Sequence, residues 1–374
     1  MGLARWFAPD PALPQRVAHL IKPRRERGVS LNQLPHGVVP HDDRFCHGAM
    51  LPWTPMRSLR LMTYNVRYFG HGTGGLVSTR TDLRSIADAI AAMTPLCDVI
   101  ALQEIEDHSL RSALVTWHPT KVKQQLTEWM SDLARALERR GIAESYDAHY
   151  FPAHRYALTK TTHLYTTGLA VLVGPRLEVV SDAQGRIEDI THRRGAKSLK
   201  QTRICAHLTL RLRDGHRVTT GENATGDLDV FNTHLSLPGP FYREFWSGAQ
   251  RLGFGPNQLQ EAQRLARAIE RRRRSPRVVL MGDFNSLPGS QVDRLLQTEL
   301  GLVDALATSN DFDETQRAAW PTAGFFGMRM AIDRIYASPG IVWADFDGSA
   351  PFESHSPFHG LSDHVPIVGR MHLA

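Results

Sequence analysis

The amino-acid sequence predicts a mixed α/β protein with more than one β-sheet. In the first part of the chain, from Leu59 onward, segments with strand character alternate with segments of helical periodicity. In the middle, apolar and β-branched segments follow one another with turn residues between them. Helix-separated strands early and strand-rich stretches later together favour a fold with more than one sheet.

Individual elements follow from the spacing of apolar residues. Helices are predicted where apolar residues recur every three or four positions, and strands where apolar or β-branched residues run between turn signals. The predicted helices cover residues 81–93, 121–139 and 257–274. The predicted strands end at Asn65 and at Glu104, or cover residues 167–173, 204–212, 228–231, 278–286, 332–336 and 365–371.

Composition and patterning set the domain organisation. The chain has 374 residues, of which 42% are hydrophobic and 22% charged, as expected for a globular protein with a full core. Residues 1–56 are rich in Pro, Arg and His, and predict an N-terminal extension that wraps the main domain or is partly disordered. Residues 57–374 show no long linker and predict one domain. No stretch reaches transmembrane length and the first residues lack a signal sequence, so a cytoplasmic protein is expected.

The charge balance favours an anionic partner. The net charge is +6 and the sequence pI is about 9.4. Nucleic acid, a phospholipid surface or a phosphorylated metabolite would each suit such a protein. Three scattered cysteines are too few for a disulfide framework. The oligomeric state is left open by the sequence.

The segment from Val278 to Ser286 is the most informative. An apolar run that predicts a buried strand ends in Gly282, Asp283 and Asn285. Buried acids and amides need hydrogen-bonding partners, so polar residues at the end of a buried strand indicate a specific role. Asp283 can accept a proton from water or bind a cation, and Asn285 can donate hydrogen bonds to a phosphate oxygen. The alternative is a turn, because the segment is rich in turn formers.

Other predicted strands also end in polar residues. Glu104 follows an apolar run and suits a hard cation such as Mg²⁺, although a surface acid that begins a loop is the simpler alternative. His234 and His364 lie beside strands and could act as base and acid at a phosphate, or as structural hydrogen-bonding groups. Asp333 lies within an apolar segment and therefore needs a partner, for which a histidine is the natural choice.

Six short motifs occur in a fixed order along the chain. They are Tyr64-Asn65, Leu102-Gln103-Glu104, Asn232-Thr233-His234-Leu235, Gly282-Asp283-Phe284-Asn285, Asp333-Arg334-Ile335 and Ser362-Asp363-His364. Each is weak alone, but the ordered series strongly resembles the endonuclease/exonuclease/phosphatase superfamily of DNase I-like phosphoesterases. The resemblance spans most of the domain and implies a four-layer α/β/β/α sandwich, with two packed mixed β-sheets flanked by helices.

The resemblance also implies a metal site. By match to the family's motifs, Asn65 and Glu104 would hold Mg²⁺, with Asp363 contributing at or near the same site. Mn²⁺ would be a possible substitute. Residues 57–374 would then form the catalytic domain.

The same resemblance implies five catalytic residues. His364 would pair with Asp333, while Asp283 would position or deprotonate the attacking water. Asn285 would contact the phosphate, and His234 would donate hydrogen bonds to it or protonate the leaving oxygen. Whether Asp283 or His364 is the base is left open.

One departure from the family pattern concerns His234. DNase I-like relatives can carry a glutamate that supports this histidine, just before a central strand. This sequence has no Asp or Glu between Asp147 and Glu178, so Thr166 or Thr167 would take that place. The Asn-Thr-His-Leu motif itself is similar to those of the DNase I, phosphatase and sphingomyelinase branches.

The sequence thus predicts a Mg²⁺-dependent phosphoester hydrolase in which an activated water attacks in line. A phosphodiesterase or nuclease is expected first, with nucleic acid slightly favoured over phospholipid because of the basic charge. The alternatives are a phosphomonoesterase acting on a soluble phosphate, a sphingomyelinase-like enzyme, and a catalytically silent binding module on the same fold. Intact candidate residues argue against the last of these.

Weaker features each have an ordinary alternative. The arginines at 271–274 could contact nucleic acid, but a solvated helix end is favoured. The aromatic segment 240–246 could be a substrate wall, a base-stacking platform, a membrane-touching loop or ordinary packing. His36, His41, Cys46 and His47 match no standard zinc spacing. His355 and His359 could line the cleft or belong to a polar loop.

Overall fold

The computed structural model describes eleven parts of the chain. They are residues 57–73, 79–109, 125–157, 163–180, 186–192, 202–213, 226–237, 252–325, 328–346, 352 and 356–373. The predicted N-terminal extension therefore lies outside the described residues, as do the aromatic segment 240–246, the four residues of the zinc hypothesis and His355.

Fifteen strands and six helices lie within these ranges. In chain order they are β1 (Arg57–Asn65), α1 (Arg80–Ala91), β2 (Val99–Ser109), α2 (Gln125–Glu138), β3 (Asp147–Ala157), β4 (His163–Val173), β5 (Leu177–Val179), β6 (Arg186–Asp189), β7 (Ile204–Leu212), β8 (Leu228–His234), α3 (Pro256–Arg272), β9 (Val278–Asp283), α4 (Gln291–Leu300), β10 (Val303–Asp304), α5 (Ala305–Asn310), α6 (Glu314–Ala318), β11 (Ala323–Phe325), β12 (Met328–Met330), β13 (Asp333–Ala337), β14 (Val342–Phe346) and β15 (Ile367–Leu373).

The strands form two mixed sheets and one short hairpin. The first sheet has the order β14-β15-β1-β2-β4-β3, and the second has the order β10-β13-β9-β8-β7-β5, with β6 also paired to β7. Each sheet contains one parallel pair near its centre, β1 with β2 and β8 with β9. A parallel pair needs a crossover connection, and here α1 and α3 supply the two crossovers.

Apolar side chains divide the fold into layers. One buried cluster joins the facing sides of the two sheets and includes Leu61 and Ala101 of the first sheet with Val230 and Met281 of the second. A second cluster packs α1 and α2 against the outer face of the first sheet, and a third packs α3 and α4 against the second. The predicted four-layer sandwich is therefore confirmed.

Helix ends match elementary capping chemistry. α1 begins after Thr79, whose side chain accepts a hydrogen bond from the backbone N–H of Asp82. α4 begins after Ser290 in the same way and ends at Gly301, which has the left-handed conformation usual after a helix. None of the helices in the described ranges combines the length and hydrophobicity needed to cross a membrane.

A buried polar link crosses from one sheet to the other. Gln103 of β2 and Asn232 of β8 are both fully buried, and the Gln103 Nε2 atom donates to Asn232 Oδ1 at 2.8 Å. Asn232 Nδ2 in turn donates to the carbonyl oxygens of Leu102 and Ala170, at 3.0 and 3.1 Å. β2 continues to Ser109, past the end predicted at Glu104, because a bulge between Gln103 and Ile105 interrupts the strand without ending it. Gln103 lies next to this bulge and Asn232 lies near the end of β8, so this link fixes the spacing of the sheets there.

We expect Asn232→Ala to lower the free energy of unfolding by about 2–4 kcal/mol, because it leaves several buried polar groups without partners. Urea unfolding followed by circular dichroism measures the change. Asn310→Ala is the matched control, since the exposed Asn310 side chain makes one bond to a helix carbonyl. It should cost less than about 1 kcal/mol. Equal losses in the two variants would contradict a structural role for the cross-sheet link.

Candidate active site

The polar strand ends meet at one edge of the sandwich. In the second sheet, His234 at the end of β8 pairs with Asp283 at the end of the parallel β9, and Asp333 at the start of the antiparallel β13 also pairs with Asp283. In the first sheet, Asn65 at the end of β1 pairs with Gln103. The register alone therefore brings His234, Asp283 and Asp333 side by side.

Asn65 connects this row to the first sheet. Its Nδ2 atom donates to Asp283 Oδ2 at 3.1 Å, and its Oδ1 atom accepts from the backbone N–H of Arg67 at 3.0 Å. The hydroxyl of Ser362 donates to the Asn65 carbonyl at 2.8 Å. Two hydrogen bonds thus fix the buried Asn65 amide between the sheets, and a third holds its backbone.

A β-bulge turns Glu104 toward the site. The pairing of β2 with β4 shifts between Gln103 and Ile105, and Glu104 has a φ of 59°. A positive φ in a residue other than glycine is uncommon and costs energy, which is a feature of functional sites. The Glu104 Oε1 atom lies 4.0 Å from His234 Nε2. Without the bulge, the side chain would follow the alternation of the strand.

Asp333 and His364 form a buried hydrogen-bonded pair. His364 Nδ1 lies 2.9 Å from Asp333 Oδ2, and His364 Nε2 faces Asp283 Oδ2 at 3.8 Å. The hydroxyl of Thr322 accepts from the backbone N–H of Asp333 at 2.9 Å, which holds the start of β13. The Asp333 carboxylate thereby orients the imidazole with Nε2 toward Asp283.

Asp283 and Asn285 lie in a tight turn that follows β9. Asp283 Oδ1 accepts from the backbone N–H of Asn285 at 2.9 Å, and Asn285 has a φ of 46°. The Asn285 Nδ2 atom donates one hydrogen bond, to the carbonyl of Leu235 at 2.9 Å. An amide nitrogen has two hydrogens, so this bond uses half of its donor capacity. His234 Nε2 lies 3.5 Å from Asp283 Oδ2.

Two buried arginines donate hydrogen bonds to backbone carbonyls of this turn and of Asp333. Arg334 Nη1 donates to the carbonyl of Ser286 at 2.8 Å, and Arg317 Nη2 donates to the carbonyl of Asp333 at 3.1 Å. Asp304 lies between them, 2.9 Å from Arg317 Nε and 3.4 Å from Arg334 Nε. This pairing compensates the burial of both guanidinium groups.

A left-handed turn follows Asn65 and positions an arginine. Arg67, Tyr68 and Phe69 have φ values of 45°, 54° and 49°. The turn is held because Gln125 of α2 donates to the Tyr68 carbonyl at 2.8 Å and Phe69 packs on Trp129. Arg67 Nη1 then pairs with Asp363 Oδ2 at 3.1 Å.

Contacts within the site shift three pKa values in a consistent pattern. Burial, with the Asp333 charge, raises the pKa of Asp283 to about 7. Burial alone would lower the pKa of His364, but the Asp333 and Asp283 carboxylates outweigh it and raise that pKa to about 10. Burial, helped by Arg203 and His364, lowers the pKa of His234 well below its ordinary value. At neutral pH, His364 is therefore protonated and His234 is neutral.

The oxygen donors suit a hard divalent cation. Burial, with a smaller contribution from the Asp363 charge, raises the pKa of Glu104, so its ionised form is costly there and would be stabilised by a cation. Asp333 Oδ1 is buried and has no hydrogen-bond partner in the described residues. Carboxylate and amide oxygens are the ligands that Mg²⁺ and Mn²⁺ accept.

A second group of possible ligands fits less well. Ligand atoms of Asp283, Asp333 and His364 all lie within 4.8 Å of one another. However, His364 Nδ1 is already hydrogen-bonded to Asp333 Oδ2 at 2.9 Å, which leaves only Nε2 as a possible ligand atom. Glu104, whose carboxylate interacts with the Asn65 side chain, stays with Asn65 the predicted metal centre.

All eight residues singled out in the sequence lie together. Contacts through Asp283 join Asn65, His234, Asn285 and His364. Glu104 is next to His234, Asp333 is bonded to His364, and Asp363 precedes His364 in the chain. Their roles in metal binding and catalysis remain predictions.

Sequence reasoning missed Arg203, which precedes β7. Its Nε atom donates to Ser236 Oγ at 3.3 Å, and it shares a small cleft with Glu104, His234 and the buried Thr167. The side chain of Thr166, the other predicted substitute for the family's glutamate, lies outside the described residues. A single arginine before an apolar run carries no motif, so only the pairing of β7 with β8 reveals it.

The weaker predictions have mixed outcomes. Arg271 and Arg272 both pair with Glu188, which favours a structural helix end over a nucleic-acid contact. His359 is exposed, and its Nδ1 atom lies 3.2 Å from the carbonyl oxygen of Phe352.

We expect Asp333→Asn to lower the pKa of His364 by more than about one unit, since it removes the main charge that stabilises the imidazolium. Histidine ¹⁵N NMR of EDTA-treated protein measures the pKa. A raised pKa stabilises the folded protein below the unfolded value of 6.5, and this contribution is lost as pH rises through about 10. Between pH 6.5 and about 10, the free energy of unfolding should therefore fall less in the variant than in wild type. Asp345→Asn, at an exposed ion pair, should leave both quantities unchanged.

Comparisons with known proteins agree with this geometry. The sequence model of the Endonuclease/Exonuclease/phosphatase family matches residues 62–364. No curated protein sequence matches the chain. The fold is similar to that of an endonuclease/exonuclease/phosphatase from Beutenbergia cavernae DSM 12333, with 19% identity, 85% of this chain and 72% of that chain covered, and a TM-score of 0.57.

Two further solved structures share the fold. One is the human Nocturnin catalytic domain with bound sulfate anion, at 17% identity, with 84% of this chain and 93% of that chain covered and a TM-score of 0.52. The other is ANGEL2, a 2′,3′-cyclic phosphatase, in complex with adenosine-2′,3′-vanadate, at 14% identity, 85% and 96% coverage and a TM-score of 0.51. The family match covers most of the chain and all eight site residues. The chain belongs to the Endonuclease/Exonuclease/phosphatase family.

Proposed function

We propose that this chain is a Mg²⁺-dependent phosphodiesterase that cleaves its substrate by in-line attack of water. The observation that carries the proposal is geometric, because Asp283 Oδ2 lies 3.5 Å from His234 Nε2 and 3.8 Å from His364 Nε2. Asp283, with a pKa of about 7, lies between a neutral His234 and a protonated His364. A base with a pKa near the working pH is the most effective, so this arrangement suits proton transfer from water.

Asp283 is the base in this proposal. His364 is protonated at neutral pH and has no free position for a proton, so it cannot take one from water. Its Nε2–H instead offers a positive hydrogen-bond donor 3.8 Å from Asp283, directed by Asp333. The proposal thereby selects between the two bases that the sequence leaves open.

His234 and Asn285 would bind the phosphate. A neutral imidazole donates one hydrogen bond, which suits His234 as a donor to a phosphate oxygen better than as an acid. The second amide hydrogen of Asn285 would make a similar contact without adding charge. The Asn285 side chain is already held by the Leu235 carbonyl and His234 is buried, so little reorganisation accompanies binding.

Glu104 and Asn65 would hold the divalent cation, with Asp363 beside them and Mn²⁺ able to replace Mg²⁺. When bound, the cation would polarise the phosphoryl group and offset the charge that develops on the leaving oxygen. Arg67 would orient the Asp363 carboxylate through their ion pair.

Nucleic acid is the favoured substrate because of the net charge of +6. The similar structures are consistent with phosphoester chemistry, since ANGEL2 is a 2′,3′-cyclic phosphatase and the Nocturnin domain holds a sulfate anion. A soluble phosphomonoester or a sphingomyelin-like phospholipid is the enzymatic alternative. A silent binding module is the non-enzymatic one, and the shifted pKa of Asp283 argues against it.

We expect Asp283→Asn to reduce hydrolysis of bis(p-nitrophenyl) phosphate by about 100- to 10,000-fold, because it removes the base and keeps the shape. Rates are measured with Mg²⁺, Mn²⁺ or EDTA on this diester, on p-nitrophenyl phosphate, plasmid DNA, RNA and sphingomyelin. Asp345→Asn should match wild type. Wild type equal to Asp283→Asn on every substrate would refute the enzymatic proposal. Strong monoester turnover with inert DNA would favour the phosphomonoesterase instead.

We expect Glu104→Gln to weaken Mn²⁺ binding by at least about tenfold, because it removes the most exposed carboxylate of the proposed metal centre. Electron paramagnetic resonance of free Mn²⁺ reports binding without any turnover. Glu299→Gln, on the exposed face of α4, is the matched control and should bind as wild type does. Unchanged affinity in Glu104→Gln would place the metal elsewhere.

A further inference from the structure

The hairpin formed by β11 and β12 is joined to the candidate active site by backbone contacts. Ala323 forms an isolated antiparallel bridge with His364, and the Gly324 backbone N–H donates to the carbonyl of Asp363 at 2.7 Å. Thr322, just before the hairpin, accepts from the backbone of Asp333. The hairpin is therefore attached to both members of the Asp333–His364 pair and forms a rim beside them.

The guanidinium of Arg329 lies over an aromatic ring on this rim. Its guanidinium carbon lies 3.8 Å from the centre of the Phe352 ring, within the range of a cation–π contact. Gly324 lies at the Nη1 end of the guanidinium, where a Cβ atom would collide with Arg329 Nη1 and come close to the Phe352 ring. The Phe352 carbonyl lies 3.2 Å from His359 Nδ1, which ties the ring to the segment that leads to Asp363. The ring against one face of the guanidinium and the bare backbone of Gly324 at its Nη1 end thus form a slot.

The charge of Arg329 is not compensated within the described ranges. Arg329 is exposed and forms no ion pair there. Stacking on Phe352 covers one face of the guanidinium and Gly324 approaches Nη1, which leaves Nε and Nη2 for a ligand. A planar cation held in place with its N–H edge available is well suited to bind a phosphate.

We propose that Arg329 binds a phosphate group other than the one being cleaved. This inference rests on the proposed function, in which the scissile phosphate lies at Asp283, His234 and Asn285. Because the rim begins next to His364, a substrate with a second phosphate reaches Arg329 while its first occupies the site. The second phosphate belongs to the next nucleotide of a nucleic-acid strand or to a small bisphosphate. Arg329 therefore determines preference for substrates with more than one phosphate.

Turnover by the full chain tests this preference. In Arg329→Ala, kcat/KM for a single-stranded oligonucleotide or for a small nucleoside bisphosphate should fall about tenfold more than kcat/KM for bis(p-nitrophenyl) phosphate, mainly through KM. The affected substrate identifies the source of the second phosphate. An equal loss on all substrates, no loss on any, or a selective loss on sphingomyelin vesicles, which carry one phosphate per molecule, would overturn the proposal.

Two further variants distinguish the loss of a phosphate contact at Arg329 from a general effect of substitution on folding. Gly324→Ala keeps the arginine but forces its guanidinium out of the slot, so it should reproduce a large part of the selective loss. Arg139→Ala removes an exposed arginine that pairs with Asp88 on the helical layer and should leave the ratio of the two kcat/KM values unchanged. If Gly324→Ala keeps the full preference for the oligonucleotide, Gly324 does not position the Arg329 guanidinium and this part of the proposal is wrong.

Binding measured without turnover keeps the test independent of the proposed reaction. Fluorescence anisotropy of a labelled oligothymidylate, with competition by pyrophosphate, is measured in the Asp283→Asn background. Adding Arg329→Ala should weaken binding about tenfold and reduce the slope of log K against log[salt] by about 0.7. Identical affinities, or no binding of either probe, would overturn the proposal even if the protein hydrolyses a simple diester. A chain that binds but cleaves nothing would instead refute the proposed function alone.

Discussion

The site depends on two polar links between the sheets, each centred on one bond between side chains. Gln103 to Asn232 lies in the interior, and Asn65 to Asp283 lies at the edge where the strands end. Apolar contacts between sheets are not directional, so they permit small sliding movements. Buried amides allow few arrangements, because any shift leaves donors or acceptors without partners. The two bonds therefore convert a sandwich of apolar layers into a frame in which groups on different sheets keep a fixed separation.

That frame concentrates negative charge. Glu104, Asp283, Asp333 and Asp363 come from four different segments, and only a fixed edge keeps them close in spite of mutual repulsion. His364 and Arg67 compensate part of this charge by direct contact. Burial, together with the charge that is left, raises the pKa of Asp283 and Glu104. In the proposed function, this environment lets Asp283 take a proton and Glu104 hold a cation.

Sequence predicted the central strands and the site better than the periphery. The strand over residues 204–212 is found as predicted, and all eight site residues meet, because motifs at strand ends depend on local patterns that one chain displays. β3 was not predicted, because Pro152 and two histidines interrupt its apolar pattern at the edge of a sheet. The cross-sheet bonds and the buried Arg317 and Arg334 were not predicted either, because their partners lie far away in sequence and become evident only through packing.

The buried cross-sheet links form a frame, and the β11–β12 hairpin forms the rim. This difference explains why the sequence indicates the class of reaction more clearly than the substrate. Residues of the frame must satisfy buried hydrogen bonds and therefore carry recognisable motifs. Rim residues such as Arg329 and Phe352 are held by a stack and by the absence of a side chain at Gly324, neither of which has a sequence signature. Because the hairpin is attached to His364 and Asp363 through the backbone, its side chains can change without disturbing the Asp333–His364 pair. In the proposed function, substrate preference thus varies on the rim while the chemistry of the edge stays constant.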